Sequence, residues 1–157
     1  VKWELIRFMQ NYKTAYALER VDYIESIFAD NALIIVGRKV KKAEPIDGMY
    51  KTLGNEQYEF VRKSKARYIE SLRSVFLSNE FVNIQFSTSK VKRRDADSQV
   101  YGIQIEQDYY SSNYGDHGYL FLMIDMKDTL NPKIYVRSWQ PEQNPDGTII
   151  GLNNFKF

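Results

Sequence analysis

Tyr12 to Gly37 reads YKTAYALERVDYIESIFADNALIIVG, and the succession of patterns inside it constrains the fold more than any other stretch. Its start completes the series Leu5, Phe8, Met9, Tyr12 and Tyr16, apolar side chains at three- and four-residue steps with Glu4, Arg7, Gln10, Lys13 and Thr14 between them. That spacing predicts an amphipathic helix. Glu19-Arg20 interrupts it, and Asp22 is placed to cap a second short helix through Phe28, with Tyr23, Ile24, Ile27 and Phe28 facing inward. Asp30-Asn31 ends that helix. Ala32 to Val36 is too short for another and is rich in β-branched residues, so with Gly37 closing it the run predicts a buried strand.

Outward from this segment, Arg38 to Lys42 alternates weakly, as the return strand of a hairpin would, and Pro45, Gly48 and Gly54 mark a loop. From Tyr58 the pattern turns helical, with Val61, Tyr68, Ile69, Leu72, Val75 and Phe76 set among basic and acidic residues and Asn79 as a stop. The rest reads as strands. Phe81 to Thr88 and Gln99 to Tyr110 alternate on either side of the polar segment Lys90 to Ser98, as in a long antiparallel hairpin. Tyr119 to Lys127 is almost uniformly apolar at first, and Lys133 to Gln140 sets Ile134 and Val136 against Tyr135, Arg137 and Trp139 after the Asn131-Pro132 turn. Past Pro141, an Asn144-Pro145-Asp146-Gly147 turn leads to a tail with Phe155 and Phe157. Helices gathered early and hairpin strands late imply an α+β domain, its N-terminal helices packed on one face of a strongly curved antiparallel sheet. One domain is expected over residues 1–157, with a core of about 5–141 and a turn and tail at 142–157.

The composition narrows the function classes. A chain of 157 residues with 43% hydrophobic content sustains one core without disulfides or structural metal. It has no Cys, which removes thiolate catalysis, disulfides and zinc-thiolate sites but leaves the compartment open. A net charge of +2 supplies no long-range field for polyanions, so nucleic acid is not an expected partner. No apolar run approaches the roughly 20 residues that span a bilayer. The start Val1-Lys2-Trp3-Glu4 lacks an initiator Met and a signal-peptide pattern, and reads as a fragment or mature form cut from a longer chain.

Read as Tyr-x-x-Ala-x-x-x-x-x-x-Asp-x-Ile-x-x-Ile-Phe-Ala-Asp-Asn-Ala, the opening segment resembles that of the nuclear-transport-factor-2-like superfamily, which includes ketosteroid isomerase and polyketide-cyclase-like (SnoaL-like) domains of the cystatin-like cone type. The Phe28 to Ala32 turn, the closing strand Lys133 to Pro141 and the element order over roughly residues 5–141 carry the likeness. The resemblance implies a cone in which a bent sheet and the first helices enclose an apolar pocket of the kind that suits small ligands. Laid on ketosteroid isomerase without gaps, Tyr12 falls where that enzyme keeps its oxyanion-hole tyrosine, and Val36 falls on its catalytic aspartate. Valine cannot accept a proton, so that route of proton abstraction is missing. The third acidic group could be sought at Asp125, which equally suits a strand end facing water.

Other groups read as structural. Tyr12 and Tyr16 suit the core of the first helix, each offering its hydroxyl to a buried partner. His117, the only imidazole, sits in a glycine-bracketed hairpin tip and reads as a solvated turn residue. No ligand set for zinc or calcium, phosphate loop or nucleophile elbow is present, and Asp95 and Asp97 read as turn formers. Lys90, Lys92, Arg93 and Arg94 read as a solvated hairpin turn, since the two aspartates that follow halve the local charge. Tyr109, Tyr110, Tyr114 and Tyr119 bracket a polar loop and read first as sheet-rim packing, with adaptable recognition as the alternative.

Expected on this basis is a non-catalytic domain, one module of a longer chain, that binds a small apolar or amphipathic ligand or a protein partner. Tyr12, Tyr16, Phe28, Glu106, Asp125, Arg137 and Trp139 are its candidate ligand-binding residues, with no catalytic residue, metal or cofactor assigned. A homodimer contact through the sheet face is a further expectation. The alternative is an isomerase, dehydratase or cyclase that pairs Tyr12 or Tyr16 with Asp125 or Glu106 as a relocated acid and base.

Overall fold

A computed structural model describes residues 1–40, 57–79, 82–96, 98–112 and 115–157. Helix α1 (Lys2–Ala17) buries Leu5, Phe8, Tyr12, Ala15 and Tyr16, the stripe its periodicity predicts. It closes with two backbone bonds, Glu19 N–H to the Tyr16 carbonyl (3.2 Å) and Arg20 N–H to that of Ala15 (2.8 Å), the pairing of a Schellman turn. Glu19 occupies the left-handed position of that turn at φ 56°, where glycine is usual. This turn is the physical content of the break at Glu19-Arg20, and it sends the chain straight into α2 (Val21–Ile27). Asp22 lies inside the first turn of α2 and does not cap it, contrary to expectation.

Phe28 has already left the helix and opens β1 (Phe28–Val40), which continues through Asp30-Asn31 and Gly37. Arg38 to Val40 therefore extend this strand instead of returning along it. The return is β2 (Gln57–Lys63), antiparallel to β1 with Val36 opposite Val61. Residues 41 and 42 and the loop marked by Pro45, Gly48 and Gly54 lie outside the described residues. The helix expected from Tyr58 begins later, as α3 (Lys65–Leu77), because Ser64 caps it: its hydroxyl accepts the Arg67 N–H at 3.2 Å. Asn79 stops it as expected, donating its amide to the Val75 carbonyl at 2.7 Å.

The remaining strands are β3 (Val82–Arg93), β4 (Val100–Ser111), β5 (Gly115–Asp125) and β6 (Lys133–Gln140). Among the described residues they form a six-stranded sheet in the order β2-β1-β6-β5-β4-β3. Every neighbouring pair is antiparallel except β1 and β6, which run parallel. Lys90, Lys92 and Arg93 belong to β3 and not to a turn, while Asp97 and Tyr114 lie outside the described residues. His117 belongs to β5, where it faces Asp108 across the ladder, and its Nδ1 meets that carboxylate at 2.5 Å. The expected turn residue is thus half of a cross-strand pair.

Irregularities in the ladders bend the sheet. Phe28 pairs with Ile134 and Leu33 with Val136, so five steps of β1 match two of β6. Met123 pairs with Val136 and Ile124 with Ile134, which leaves Tyr135 as an extra residue in β6. A further shift separates Phe86 from Ser89. The helices lie on the inner face of this strongly curved α+β sheet, over Ile34, Ile84, Ile103, Ile105, Leu120, Leu122, Ile124 and Ile134. The outer face carries a second cluster, Phe121, Val136 and Leu152, with Phe155 and Phe157 packed against it. The C-terminal tail thus folds back over part of the sheet face offered in the sequence reading as a dimer contact. Because both sides are covered, Tyr119 to Asp125 needs no polar face, which is why it reads as nearly all apolar. No helix among the described residues is long and apolar enough to cross a membrane.

Candidate functional site

Where the bent sheet parts from α1 and α3, a cavity of about 270 Å³ remains. Helix periodicity delivers Tyr12 and Tyr16 from α1 and Tyr68, Leu72 and Val75 from α3. The two-residue period of the strands delivers Val36, Ile84, Gln107, Tyr109, Arg137 and Trp139. Lys63, Ser71 and Asp116 complete the wall. The Tyr135 bulge matters here. It shifts the alternation of β6, so that Ile134 faces inward, Val136 outward, and Arg137 and Trp139 inward again. Trp139 also needs Gly118, since a Cβ there would come within 2.5 Å of the indole.

The centre of the wall is a buried polar cluster. Tyr12 is fully buried, and its hydroxyl accepts a hydrogen bond from Arg137 Nε at 3.2 Å. Tyr16 and Tyr68 share a short hydroxyl–hydroxyl bond. The Arg137 guanidinium lies 5.0 Å from the centre of the Tyr68 ring, a cation–π arrangement. Only 8% of Arg137 is exposed, and among the described residues its hydrogen bonds end with Tyr12 and it has no carboxylate partner. Burial opposes its charge, the neighbouring phenols favour that charge only once they ionise, and the guanidinium stays protonated at ordinary pH because its intrinsic basicity is so high. Burial pushes the Tyr16 and Tyr68 phenols up as well, which keeps them neutral donors at ordinary pH. Gln107, 3% exposed, presents an Oε1 with no hydrogen-bond partner among the described residues.

Four of the seven residues expected to bind ligand meet at this cavity: Tyr12, Tyr16, Arg137 and Trp139. The other three do not. Phe28 is packed in the core, its ring 5.5 Å from that of Tyr68. Glu106 points to the outer face, where it accepts from Ser87 Oγ at 3.2 Å, because it alternates with the inward pair Ile105 and Gln107. Asp125 sits at the end of β5 and accepts the Lys127 N–H at 2.8 Å, the strand-end role offered as its alternative. Sequence reasoning passed over Tyr68, Gln107 and Asp116. Gln107 carried a signal: it is the polar member of the otherwise apolar inward series Tyr101, Ile103, Ile105 and Tyr109.

Other features offer less chemistry. An outer depression of about 380 Å³ beside Glu106, Tyr119 and the tail is lined mostly by polar residues. Among the described residues no three His, Cys, Asp or Glu side chains gather where they could hold a metal ion.

No family model matches the chain, and no curated protein matches it in sequence. Solved structures do match in shape. The structure of Bd1075 from Bdellovibrio bacteriovorus superposes with a TM-score of 0.64 at 12% identity over 90% of this chain, which spans only 41% of that protein. A nuclear-transport-factor-2-like family protein from Streptomyces avermitilis gives 0.61 at 8% identity over 90% of this chain and 95% of the other. Nuclear transport factor 2 from Cryptosporidium parvum gives 0.57 at 7% identity over 85% and 88%. With this element order, this bent sheet and these likenesses, the chain has the nuclear-transport-factor-2-like fold.

Proposed function

We propose that this is a non-catalytic binding domain that takes a small amphipathic molecule into the cavity between α1, α3 and the inner face of the sheet. One observation carries the reading: an apolar and aromatic hollow holds two buried polar groups, Arg137 and Gln107, whose hydrogen-bonding capacity is unfilled among the described residues. Buried polar groups are normally satisfied within the protein, and exceptions concentrate at functional sites. The absence of catalysis is supported by Val36 on the wall, the residue that the resemblance to ketosteroid isomerase sets against that enzyme's proton acceptor, and by a Tyr12 hydroxyl held by a guanidinium.

The test is protein NMR with a library of small soluble fragments, followed through the Trp139 indole and Gln107 amide signals. Fragments with one polar end should shift both. A library that leaves both unmoved would end the proposal.

An enzyme remains the competing reading for one reason, the Asp116 carboxylate on the cavity wall. An isomerase, dehydratase or cyclase using it would lose turnover in both Asp116→Asn and Tyr12→Phe. A binding domain has no turnover to lose.

A further inference from the structure

We infer that the ligand carries a carboxylate, which docks on the Arg137 guanidinium while its apolar body lies against Leu72, Ile84 and Trp139. The inference rests on the binding reading above and names the ligand's chemistry.

Arginine cannot shed its charge in a protein, so Arg137 is a permanent cation inside the fold. A buried cation is costly without a counter-anion, and natural proteins supply one. Among the described residues no carboxylate pairs with Arg137. Nε is committed to Tyr12, and the two terminal nitrogens form no hydrogen bond among the described residues, although Arg137 lines the cavity. Those two nitrogens are the edge of the guanidinium that receives a carboxylate through parallel hydrogen bonds. The Tyr68 ring lies 5.0 Å from the guanidinium carbon, a cation–π contact beside the bond to Tyr12.

The charges on the wall favour a monoanion. Among the described residues of the wall, Arg137 and Lys63 stand against Asp116, two cations to one carboxylate, which matches one negative charge better than the two of a phosphate monoester. Gln107 Oε1 asks for a donor, so a ligand with a hydroxyl or amide N–H beyond its carboxylate satisfies the cavity more fully than a plain acid. The cavity's 270 Å³ lies at the small end of ligand sites and suits a body the size of one substituted ring.

The experiment is titration calorimetry of the full chain with 4-hydroxyphenylacetate, phenylacetate and hexanoate, each beside its carboxamide. The carboxylates should bind, and each carboxamide at least tenfold more weakly. Arg137→Met should bring that ratio below threefold, while Lys127→Met, in the exposed turn after β5, should leave it unchanged. Equal binding of acid and amide to the unaltered protein, or a ratio that survives Arg137→Met, overturns the carboxylate assignment and leaves the cavity as a binding site. If no acid and no amide binds, the binding reading falls with it. Should Arg137→Met fail to fold, the acid-to-amide ratio of the unaltered protein decides.

Discussion

On the outer face of the sheet, Gln104 Oε1 accepts the Leu152 N–H at 2.9 Å and Gln140 Oε1 accepts the Ile150 N–H at 2.8 Å. The Gln140 amide also donates to the Glu142 carbonyl at 2.7 Å and to Asn144 Oδ1 at 3.1 Å. Three residues from Gln104 along the same strand, Gln107 faces inward and its Oε1 has no partner among the described residues. The apolar groups divide in the same way. Outside, Phe155 stacks on Phe121 with ring centres 5.4 Å apart, whereas inside, Trp139 and Ile84 border an open hollow. The tail covers part of the outer face, while the inner face keeps the hollow lined by Gln107 and Arg137. The glutamines thus differ in satisfaction between the two faces, although Ser138 Oγ and Arg94 Nε on the outer side are also without a partner among the described residues.

The comparison can be attacked first where packing is tightest. Phe121→Ala should remove the platform under Phe155 and Phe157 and cost about 3–5 kcal/mol in urea unfolding. A loss under ~1 kcal/mol would mean that the tail does not close the outer face. The inner face should respond in the opposite sense. Arg137→Met replaces an uncompensated buried cation with an apolar side chain of similar length and should stabilise the ligand-free protein by about 1–4 kcal/mol, read as a higher midpoint in thermal melts. Destabilisation would show that the tyrosine cluster alone compensates the charge. The sharpest contrast is also the smallest. Gln104→Leu should cost ~1–3 kcal/mol by orphaning the Leu152 N–H, while Gln107→Leu should be neutral or slightly stabilising in the same assay. Equal effects would erase the distinction between the faces.

Most of the elements were legible because their signals are local. The α1 stripe, the apolar run through Ile34 and the alternation of β4 each need only a window of residues. Val36 and Tyr12, from one short segment, both line the cavity wall. Boundaries failed where two periods fitted the same residues. Val61 suits helix and strand alike, and the Ser64 cap, together with pairing to β1, settled Gln57–Lys63 as a strand.

The site was less legible. Glu106 was expected among the ligand-binding residues, and whether a strand's odd or even positions look inward depends on what packs against each face, here the helices inside and Leu152 outside. In β6 the strict alternation places Ile134 opposite to Arg137, and the Tyr135 bulge puts both inside. A bulge arises from register with the neighbouring strand and leaves no mark on its own segment.

The chain's residue order carried its helices, its strands and the aromatic richness of the core, since each follows from short-range periodicity and side-chain chemistry. The meeting of Arg137 with Tyr12, 125 positions apart, the tail's cover over Phe121 and the orphaned Gln107 came from the assembled fold. Strand register and layer packing fix such long-range pairings through the sum of many contacts, and no local pattern encodes that sum.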